Sequence, residues 1–158
     1  MSAEEPKVKT CLWFNGCAEE AVKLYTSLIP DSKVLFAHKG PNGSVTITEF
    51  LLAGTPYQAL NYPTEAKFTT ACSIQVMTKD QEETDRLWGS LTADGGAEGM
   101  CGWLTDRFGL SWQIVPTALP KYVGGSDAEG AARAMSAMHQ MKKIEIARLE
   151  SAYNGESS

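Results

Sequence analysis

Glu19-Glu20-Ala-Val-Lys-Leu-Tyr-Thr-Ser-Leu28 is matched, 63 positions later, by Glu82-Glu83-Thr-Asp-Arg-Leu-Trp-Gly-Ser-Leu91. Five of the ten positions are identical, and the basic and aromatic positions keep their chemical character. A second pair follows in the same order, because Gly54-Thr-Pro-Tyr-Gln58 and Gly109-Leu-Ser-Trp-Gln113 share glycine, an aromatic residue and glutamine. Two matched pairs in one order indicate that one structural module is written twice in this chain.

The first copy predicts a βαβββ module over residues 8–62. Asn15 is the predicted N-cap of a helix whose apolar positions recur at helical spacing as far as Leu28, and Pro30 ends that helix. Asn42-Gly43 supplies turn chemistry between two of the strands that follow. The predicted strands of this module are 8–14, 34–38, 45–52 and 57–61.

The second copy predicts another βαβββ module over residues 70–116. A strand at 71–77 precedes a helix that Asp80 is expected to cap. A strand from Glu98 to Trp103 and a strand from Leu110 to Val115 flank a turn at 106–109, where Gly109 is expected to take a positive φ. The polar stretch between the two modules reads as a link.

Residues 121–153 differ in composition from both modules, being rich in Ala, Met, Lys and Glu. They predict a helical tail, broken once, that packs on the sheet or on a second subunit. The predicted fold class is α+β, in a single domain of residues 1–158. In this fold two tandem βαβββ modules form a curved mixed sheet around a cleft, with the tail added. Equivalent residues of the two copies, Gln58 and Gln113 above all, are expected to face that cleft.

The net charge and the cysteine pattern limit which kinds of partner the protein is expected to bind. The net charge of −5 and the scattered basic residues argue against nucleic acid. The polar, acidic first residues do not resemble a signal peptide, and no apolar run reaches the roughly 20 residues that span a bilayer. The four cysteines lack CxxC spacing, so we expect reduced thiols and a cytoplasmic protein whose partner is a small molecule.

Two runs carry a family resemblance, Leu12-Trp-Phe-Asn-Gly-Cys-Ala-Glu-Glu-Ala21 and Cys101-Gly-Trp-Leu-Thr-Asp-Arg-Phe-Gly-Leu-Ser-Trp-Gln-Ile-Val-Pro116. The first resembles the opening of PhnB-like members of the glyoxalase/bleomycin-resistance/dioxygenase (vicinal-oxygen-chelate) superfamily. The second is similar to the subgroup named 3-demethylubiquinone-9 3-methyltransferase. The resemblance covers about residues 8–150. It implies paired βαβββ modules and a homodimer.

The resemblance also implies a test for metal ligands, since metal-dependent relatives place His or Glu on the first and last strand of each module. The inward set predicted for the first strands is Thr10, Leu12, Phe14, Ala71, Ser73 and Gln75. The last strands supply Gln58 and Gln113, the latter where relatives commonly carry a ligating Glu. Amide oxygens are weak, neutral donors, so we expect neither a metal nor a cofactor. A register slip of one residue would offer only Cys11 and Cys72, which favour a softer metal.

The predicted ligand-binding set is therefore polar, uncharged and edged by aromatic rings. Amides both donate and accept, so they can orient a neutral or oxygen-rich ligand without a change of protonation. The alternative is that several members are structural and satisfy backbone groups at the module junction. The set consists of Gln58, Asn61, Ser73, Gln75, Trp103, Trp112 and Gln113.

The sequence identifies no catalytic residue. Glu49 would be a candidate general base with a raised pKa if it faced the cleft, and a solvated carboxylate if it faced outward. Cys101 has no His or Asp fixed near it by the sequence and is interpreted as packing. Asp106 is expected to stabilise its turn, and His38 and His139 are interpreted as surface or structural residues.

These observations favour a metal-independent small-molecule binding protein. The alternatives are an enzyme of lyase, isomerase or dioxygenase type, and an interaction module that uses the helical tail. Methyl transfer, which the subgroup name suggests, normally needs a parallel sheet with a glycine-rich first turn that holds the cofactor. Gly40, Gly43, Gly54, Gly95-Gly96 and Gly99 are instead expected in hairpin-type turns.

Overall fold

The computed structural model describes residues 6–156, and the chain divides into a compact unit ending at Ala66 and a second beginning at Lys67. Each unit contains one four-stranded mixed sheet and one helix that packs on it. The sequence repeat is therefore a structural repeat. The α+β fold with two βαβββ modules and C-terminal helices is confirmed.

The first unit forms a sheet in the order β1-β4-β3-β2, in which β1 runs parallel to β4 and the other pairs are antiparallel. Strand β2 is an edge strand with register shifts between Val34 and Phe36 and between His38 and Lys39. Such bulges limit further pairing at an exposed edge. The elements are β1 Thr10–Phe14, α1 Ala18–Leu28, β2 Lys33–Lys39, β3 Val45–Leu52 and β4 Thr55–Asn61.

The second unit repeats this topology in the order β5-β8-β7-β6, again with the first and last strands parallel. Asp80 caps α2 as predicted, because its carboxylate accepts a hydrogen bond from the backbone N–H of Glu83 at 2.8 Å. The elements are β5 Ser73–Thr78, α2 Gln81–Thr92, a 3-10 turn Ala93–Gly95, β6 Ala97–Glu98, β7 Trp103–Thr105 and β8 Ser111–Pro116.

Alternation along the strands separates a buried face from a more exposed one in both sheets. In β3, Thr48 and Phe50 are buried and Glu49 is half-buried, while in β8 Trp112 and Ile114 are buried and Gln113 is half-buried. Helices α1 and α2 pack on these sheets through apolar faces. Each fully buried large side chain contributes roughly 1.5–3 kcal/mol, so this helix-facing side holds each unit together.

Two local predictions are wrong. Asn15 does not cap α1, because the Asn15-Gly16 turn comes first, Gly16 at φ +88°, and the helix begins at Ala18. Nor do residues 98–103 form one strand. Cys101 and Gly102 both take positive φ, 57° and 83°, and so turn the chain between β6 and β7.

The tail forms three helices, α3 Leu119–Val123, α4 Ala128–His139 and α5 Ile146–Asn154, so it is broken twice where the sequence predicts one break. Its core consists of Tyr122, Ala134, Met141, Ile144 and Leu149. Two backbone hydrogen bonds of 2.8 Å tie this tail to the turn before β7, from Cys101 to Met141 and from Gly102 to Lys142. Gln81 at the start of α2 also bonds backbone groups of Ile144 and Ile146. The tail thus packs within its own unit. None of the helices in residues 6–156 combines the length and apolar character needed to cross a bilayer.

Candidate functional site

The side of each sheet opposite its helix carries the half-buried and exposed residues, and we call these sides the open faces. On the first sheet the open face contains Cys11, Trp13, Phe36, His38, Ile47, Glu49, Gln58 and Leu60. On the second sheet it contains Ser73, Gln75, Met77, Trp103, Thr105, Gln113 and Val115. Glu49, Gln58, Ser73, Gln75 and Gln113 therefore lie where a ligand could reach them.

The two glutamines singled out by the repeat occupy equivalent places. Gln58 pairs with Cys11 on one side and Glu49 on the other. Gln113 pairs in the same way with Gln75 and Trp103. Each glutamine is therefore near the middle of its own sheet, on the last strand of its module. The residues around the two are different, so the two open faces offer different chemistry.

On the second sheet, Gln113 is the centre of a row of hydrogen bonds. The Gln75 amide donates to Gln113 Oε1 at 3.3 Å, and Gln113 Nε2 donates to Ser73 Oγ at 2.9 Å. An amide has two N–H donors and an oxygen acceptor, and a hydroxyl also does both, so the row retains capacity to bond a ligand.

On the first sheet, Gln58 is hydrogen-bonded to Glu49, which forms an ion pair with Lys9. Lys9 Nζ donates to Glu49 Oε2 at 2.6 Å, and Gln58 Nε2 donates to Glu49 Oε1 at 3.3 Å. The hydrogen bond from Lys9, followed by that from Gln58, lowers the pKa of Glu49 despite the opposing effect of desolvation. Glu49 is on the open face, but the raised pKa expected of a general base there is wrong, because Lys9 stabilises its ionised form.

We predict that Lys9→Met raises the pKa of Glu49 toward its ordinary value. The folded-state pKa lies below the unfolded one, so the pair's stabilisation is present above the unfolded pKa and is lost as the pH falls through the folded pKa. Both side chains are about one-third exposed, so the stability change stays under about 1 kcal/mol. NMR titration of the Glu49 carboxyl carbon measures the shift. Lys7→Met, a change at an exposed lysine, is the control, and an equal Glu49 pKa in both variants would contradict the assignment.

A cavity of about 200 Å³ lies beside the Lys9–Glu49 pair. Strand β2 borders it where the bulge between Val34 and Phe36 leaves Leu35 as an extra residue. Leu35 and Phe36 keep 50% and 57% of their surface exposed, which is high for large apolar side chains on a strand. The lining residues are Pro6, Lys9, Leu35, Phe36, Glu49, Phe50, Pro56 and Tyr57.

Two members of the predicted ligand-binding set lie elsewhere. Asn61, at the end of β4, links this strand to α1 and β3. Its Oδ1 accepts a hydrogen bond from the backbone N–H of Ala18 at 3.3 Å, and its Nδ2 donates to Val45 O at 3.1 Å. Trp112 is fully buried on the helix-facing side and donates from Nε1 to Asp106 Oδ2 at 2.8 Å. The other five lie on the open faces of their own sheets, Gln58 on the first and Ser73, Gln75, Trp103 and Gln113 on the second.

The open faces offer a divalent ion few donors: the Glu49 carboxylate is already bonded to Lys9, and His38 is the histidine of the first face. Leu12 and Phe14, expected to face inward with Thr10, are buried on the helix-facing side, and Cys11 takes the open position beside Gln58. Burial raises the pKa of the Cys11 thiol, which disfavours the thiolate that a metal needs. Gln75 occupies the place of Cys11 in the second sheet and is a neutral amide. Within residues 6–156, no three His, Cys, Asp or Glu side chains are grouped as a metal site.

Lys9, Leu35 and Phe36 are not among the residues that the sequence singles out. Lys9 could have been placed, because a period of two puts it on the same side as Cys11. Leu35 and Phe36 could not, because a bulge shifts the alternation of β2 and leaves no trace in the residue pattern.

Comparison with known proteins gives consistent results. Residues 6–115 match the family model described as 3-demethylubiquinone-9 3-methyltransferase. A solved structure from Bacillus cereus, of a PhnB protein described by the same methyltransferase name, is 30% identical with a TM-score of 0.66 and matches over 71% of this chain and 100% of its own. A search of curated proteins finds none that matches this sequence.

More distant solved structures share the fold alone. Protein PA1353 from Pseudomonas aeruginosa is 21% identical with a TM-score of 0.57, covering 71% of this chain and 98% of its own. The fosfomycin resistance protein FosX from Listeria monocytogenes, solved as a point mutant with Mn(II) and 1S,2S-dihydroxypropylphosphonic acid, is 13% identical with a TM-score of 0.53. That match covers 72% of this chain and 93% of the FosX chain.

Proposed function

Since this chain belongs to the family described as 3-demethylubiquinone-9 3-methyltransferase, within the glyoxalase and vicinal-oxygen-chelate superfamily, we propose that it binds a small molecule at the open faces of its sheets without using a metal ion. The observation that carries the proposal is the repeated glutamine. Gln58 and Gln113 hold the same central place in two sheets, and each is hydrogen-bonded to a polar neighbour on the open face.

The chemistry of these residues supports binding more than bond-breaking. Amides, a hydroxyl and the indole of Trp103 can orient a ligand by donating and accepting hydrogen bonds while an apolar ring covers it. Glu49, the carboxylate on the first open face, is held ionised by Lys9 and is not poised to exchange a proton near neutral pH. The sequence repeat predicts that the two faces share one cleft, in which case both glutamines contact the same ligand.

The methyl transfer that the family name suggests is not favoured by the turns. Within the described part of the chain, each sheet contains a single parallel strand pair. Gly43, Gly54 and Gly109, which have positive φ, lie in turns between antiparallel strands, and the strand-to-helix turn before α1 contains the single glycine Gly16. A nucleotide-type cofactor normally sits at a glycine-rich turn that leads from a strand into a helix of a parallel sheet. We therefore propose that S-adenosylmethionine does not bind.

The test is a thermal-shift screen of planar aromatic and oxygen-rich compounds, followed by calorimetry on those that stabilise the protein. We expect Gln113→Leu and Gln58→Leu each to weaken the best compound by about tenfold, because each variant removes an amide that bonds it. Gln140→Leu is the matched control, since Gln140 is an exposed residue of the tail.

Unchanged affinity in both open-face variants would contradict the proposal. Calorimetric binding of S-adenosylmethionine at micromolar concentration would favour the methyltransferase alternative. Stoichiometric nickel, zinc, iron or manganese in the purified protein would contradict the metal-free part of the proposal and favour an enzyme.

A further inference from the structure

The Lys9–Glu49 pair differs from an ordinary surface ion pair because of what surrounds it. Most exposed Lys–Glu pairs are solvated on all sides and contribute little. Here the pair lines a cavity, its two side chains are only 33% and 30% exposed, and the Nζ–Oε2 distance is 2.6 Å. Gln58 donates to the other oxygen of Glu49, so the carboxylate is held in place. The cavity therefore presents one fixed cation and one fixed anion side by side.

The remaining walls of this cavity are apolar. Leu35 and Phe36 come from the bulge of β2, and Pro56 comes from the start of β4. Leu35 and Phe36 are half exposed, so a ligand that covered them would remove apolar surface from water. The site thus combines a dipolar end with an apolar end.

We infer that this cavity binds a small zwitterion, a molecule with adjacent ammonium and carboxylate groups and an apolar or aromatic body, as in an α-amino acid. The inference rests on the proposed function, because Gln58 of the proposed site is hydrogen-bonded to Glu49 of this cavity, and it names the ligand class for the first sheet. The ligand's ammonium lies against Glu49 and its carboxylate against Lys9. Each charge then has an opposite partner, which is the condition for placing charges in a partly dry site.

A ligand with one charge fits this pair poorly. The ammonium of an amine would be attracted by Glu49 but repelled by the nearby Lys9 ammonium. A carboxylate ligand would be attracted by Lys9 but repelled by Glu49. The size of the cavity agrees with a small zwitterion. Its volume of about 200 Å³ lies below the roughly 300–1,000 Å³ of most drug-sized ligand sites, so it suits the head group of a small molecule.

The experiment uses the full-length protein and three probes, L-phenylalanine, 3-phenylpropanoate and 2-phenylethylamine, with binding followed by NMR chemical-shift titration. The second probe lacks the ammonium and the third lacks the carboxylate. We expect saturable binding of L-phenylalanine at millimolar concentration, and binding of the other two at least about tenfold weaker.

Two variants then test the assignment of each charge. In Lys9→Met only the anion remains, so the order should invert in favour of 2-phenylethylamine. In Glu49→Gln only the cation remains, so the order should invert in favour of 3-phenylpropanoate. A residue with a merely structural role would weaken all three probes together. Lys7→Met and Glu150→Gln are the controls, since both residues are exposed and neither lines the cavity.

The outcomes separate this inference from the proposed function. Binding of L-phenylalanine that neither Lys9→Met nor Glu49→Gln alters would overturn the inference, because the amino acid would then sit elsewhere. Absence of binding by L-phenylalanine and by L-leucine up to tens of millimolar would also overturn it. If compounds from the thermal-shift screen still bind in a Gln113-dependent manner, the proposed function stands. If those also fail, both are wrong.

Discussion

Asp106→Ala should lower the free energy of unfolding by about 3–5 kcal/mol, the largest loss expected from a single polar side chain here. Asp106 is only 2% exposed, and its carboxyl group accepts hydrogen bonds from both backbone and side chain. Oδ1 accepts from the backbone N–H of Phe108 at 2.9 Å and of Leu110 at 3.1 Å, and Oδ2 accepts from Trp112 Nε1 at 2.8 Å. Alanine would leave these donors without that acceptor, two of them at buried residues.

The measurement is urea unfolding followed by the fluorescence of the tryptophans. Asp106→Asn should cost less, about 1–3 kcal/mol, because an amide keeps one acceptor oxygen but turns the other position into a donor. Glu150→Ala, at an exposed helical position, controls for the loss of a carboxylate and should change stability by less than about 0.5 kcal/mol. An Asp106→Ala protein as stable as the Glu150→Ala protein would show that these hydrogen bonds do not hold the hairpin.

The role of Asp106 in its turn follows from the sequence, but its bond to Trp112 does not. A residue pattern of Asp-x-x-Gly between two strands specifies a turn by local chemistry alone. Whether a tryptophan six residues later faces the helix or the ligand depends on which side of β8 the helix covers. Trp112 follows Ser111 and precedes Gln113, so alternation puts it opposite Gln113. The two could not both have lined one face, and alternation alone could have excluded one of them.

For β1, the alternation of residues predicted the wrong side as buried, and the reason is different. Leu12 and Phe14 on one side and Cys11 and Trp13 on the other are all apolar, so a period of two does not say which side is buried. The structure buries Leu12 and Phe14 and leaves Trp13 44% exposed. In β5 the two sides differ in polarity, and there the sequence places Ser73 and Gln75 on the side that remains open.

The equivalence of Gln58 and Gln113 is the most productive inference from the sequence, because a repeat carries three-dimensional information without any contact prediction. It specifies strand, register and face for both residues at once. What the repeat could not supply is the difference between the copies. Glu49 meets Lys9 from 40 positions away, and Trp103 holds the corresponding place in the second sheet. The first open face carries a charged residue where the second carries Trp103. That difference depends on the pairing of residues far apart in the sequence.

The packing of the tail against β8 depends on Gly102, as the hairpin between β7 and β8 depends on Asp106. Gly102 has φ +83°, and a Cβ built there would lie 2.8 Å from Ile114 O and 3.2 Å from Ile144 Cγ1. Its N–H donates to Lys142 O and its carbonyl accepts from Ile114 N, both at 2.8 Å. Gly102 is therefore held between β8 and the tail core, and neither neighbour can move without breaking buried packing.

Gly102→Ala should lower the free energy of unfolding by about 2–5 kcal/mol, the sum of about 1–2 for a left-handed alanine and about 1–3 for overpacking. Gly109→Ala is the matched control, because Gly109 has φ +90° with nothing within 4 Å of its Cβ position. This variant should therefore lose only the roughly 1–2 kcal/mol that a left-handed alanine costs. Both changes affect the unfolded chain alike, so their difference reports the crowding. Urea unfolding measures it, and hydrogen exchange of the Cys101 and Gly102 amides, which bond the tail, should accelerate only in Gly102→Ala. Equal losses in the two variants, with those amides still protected, would mean that the tail yields to the added methyl group and that this junction is not tightly packed.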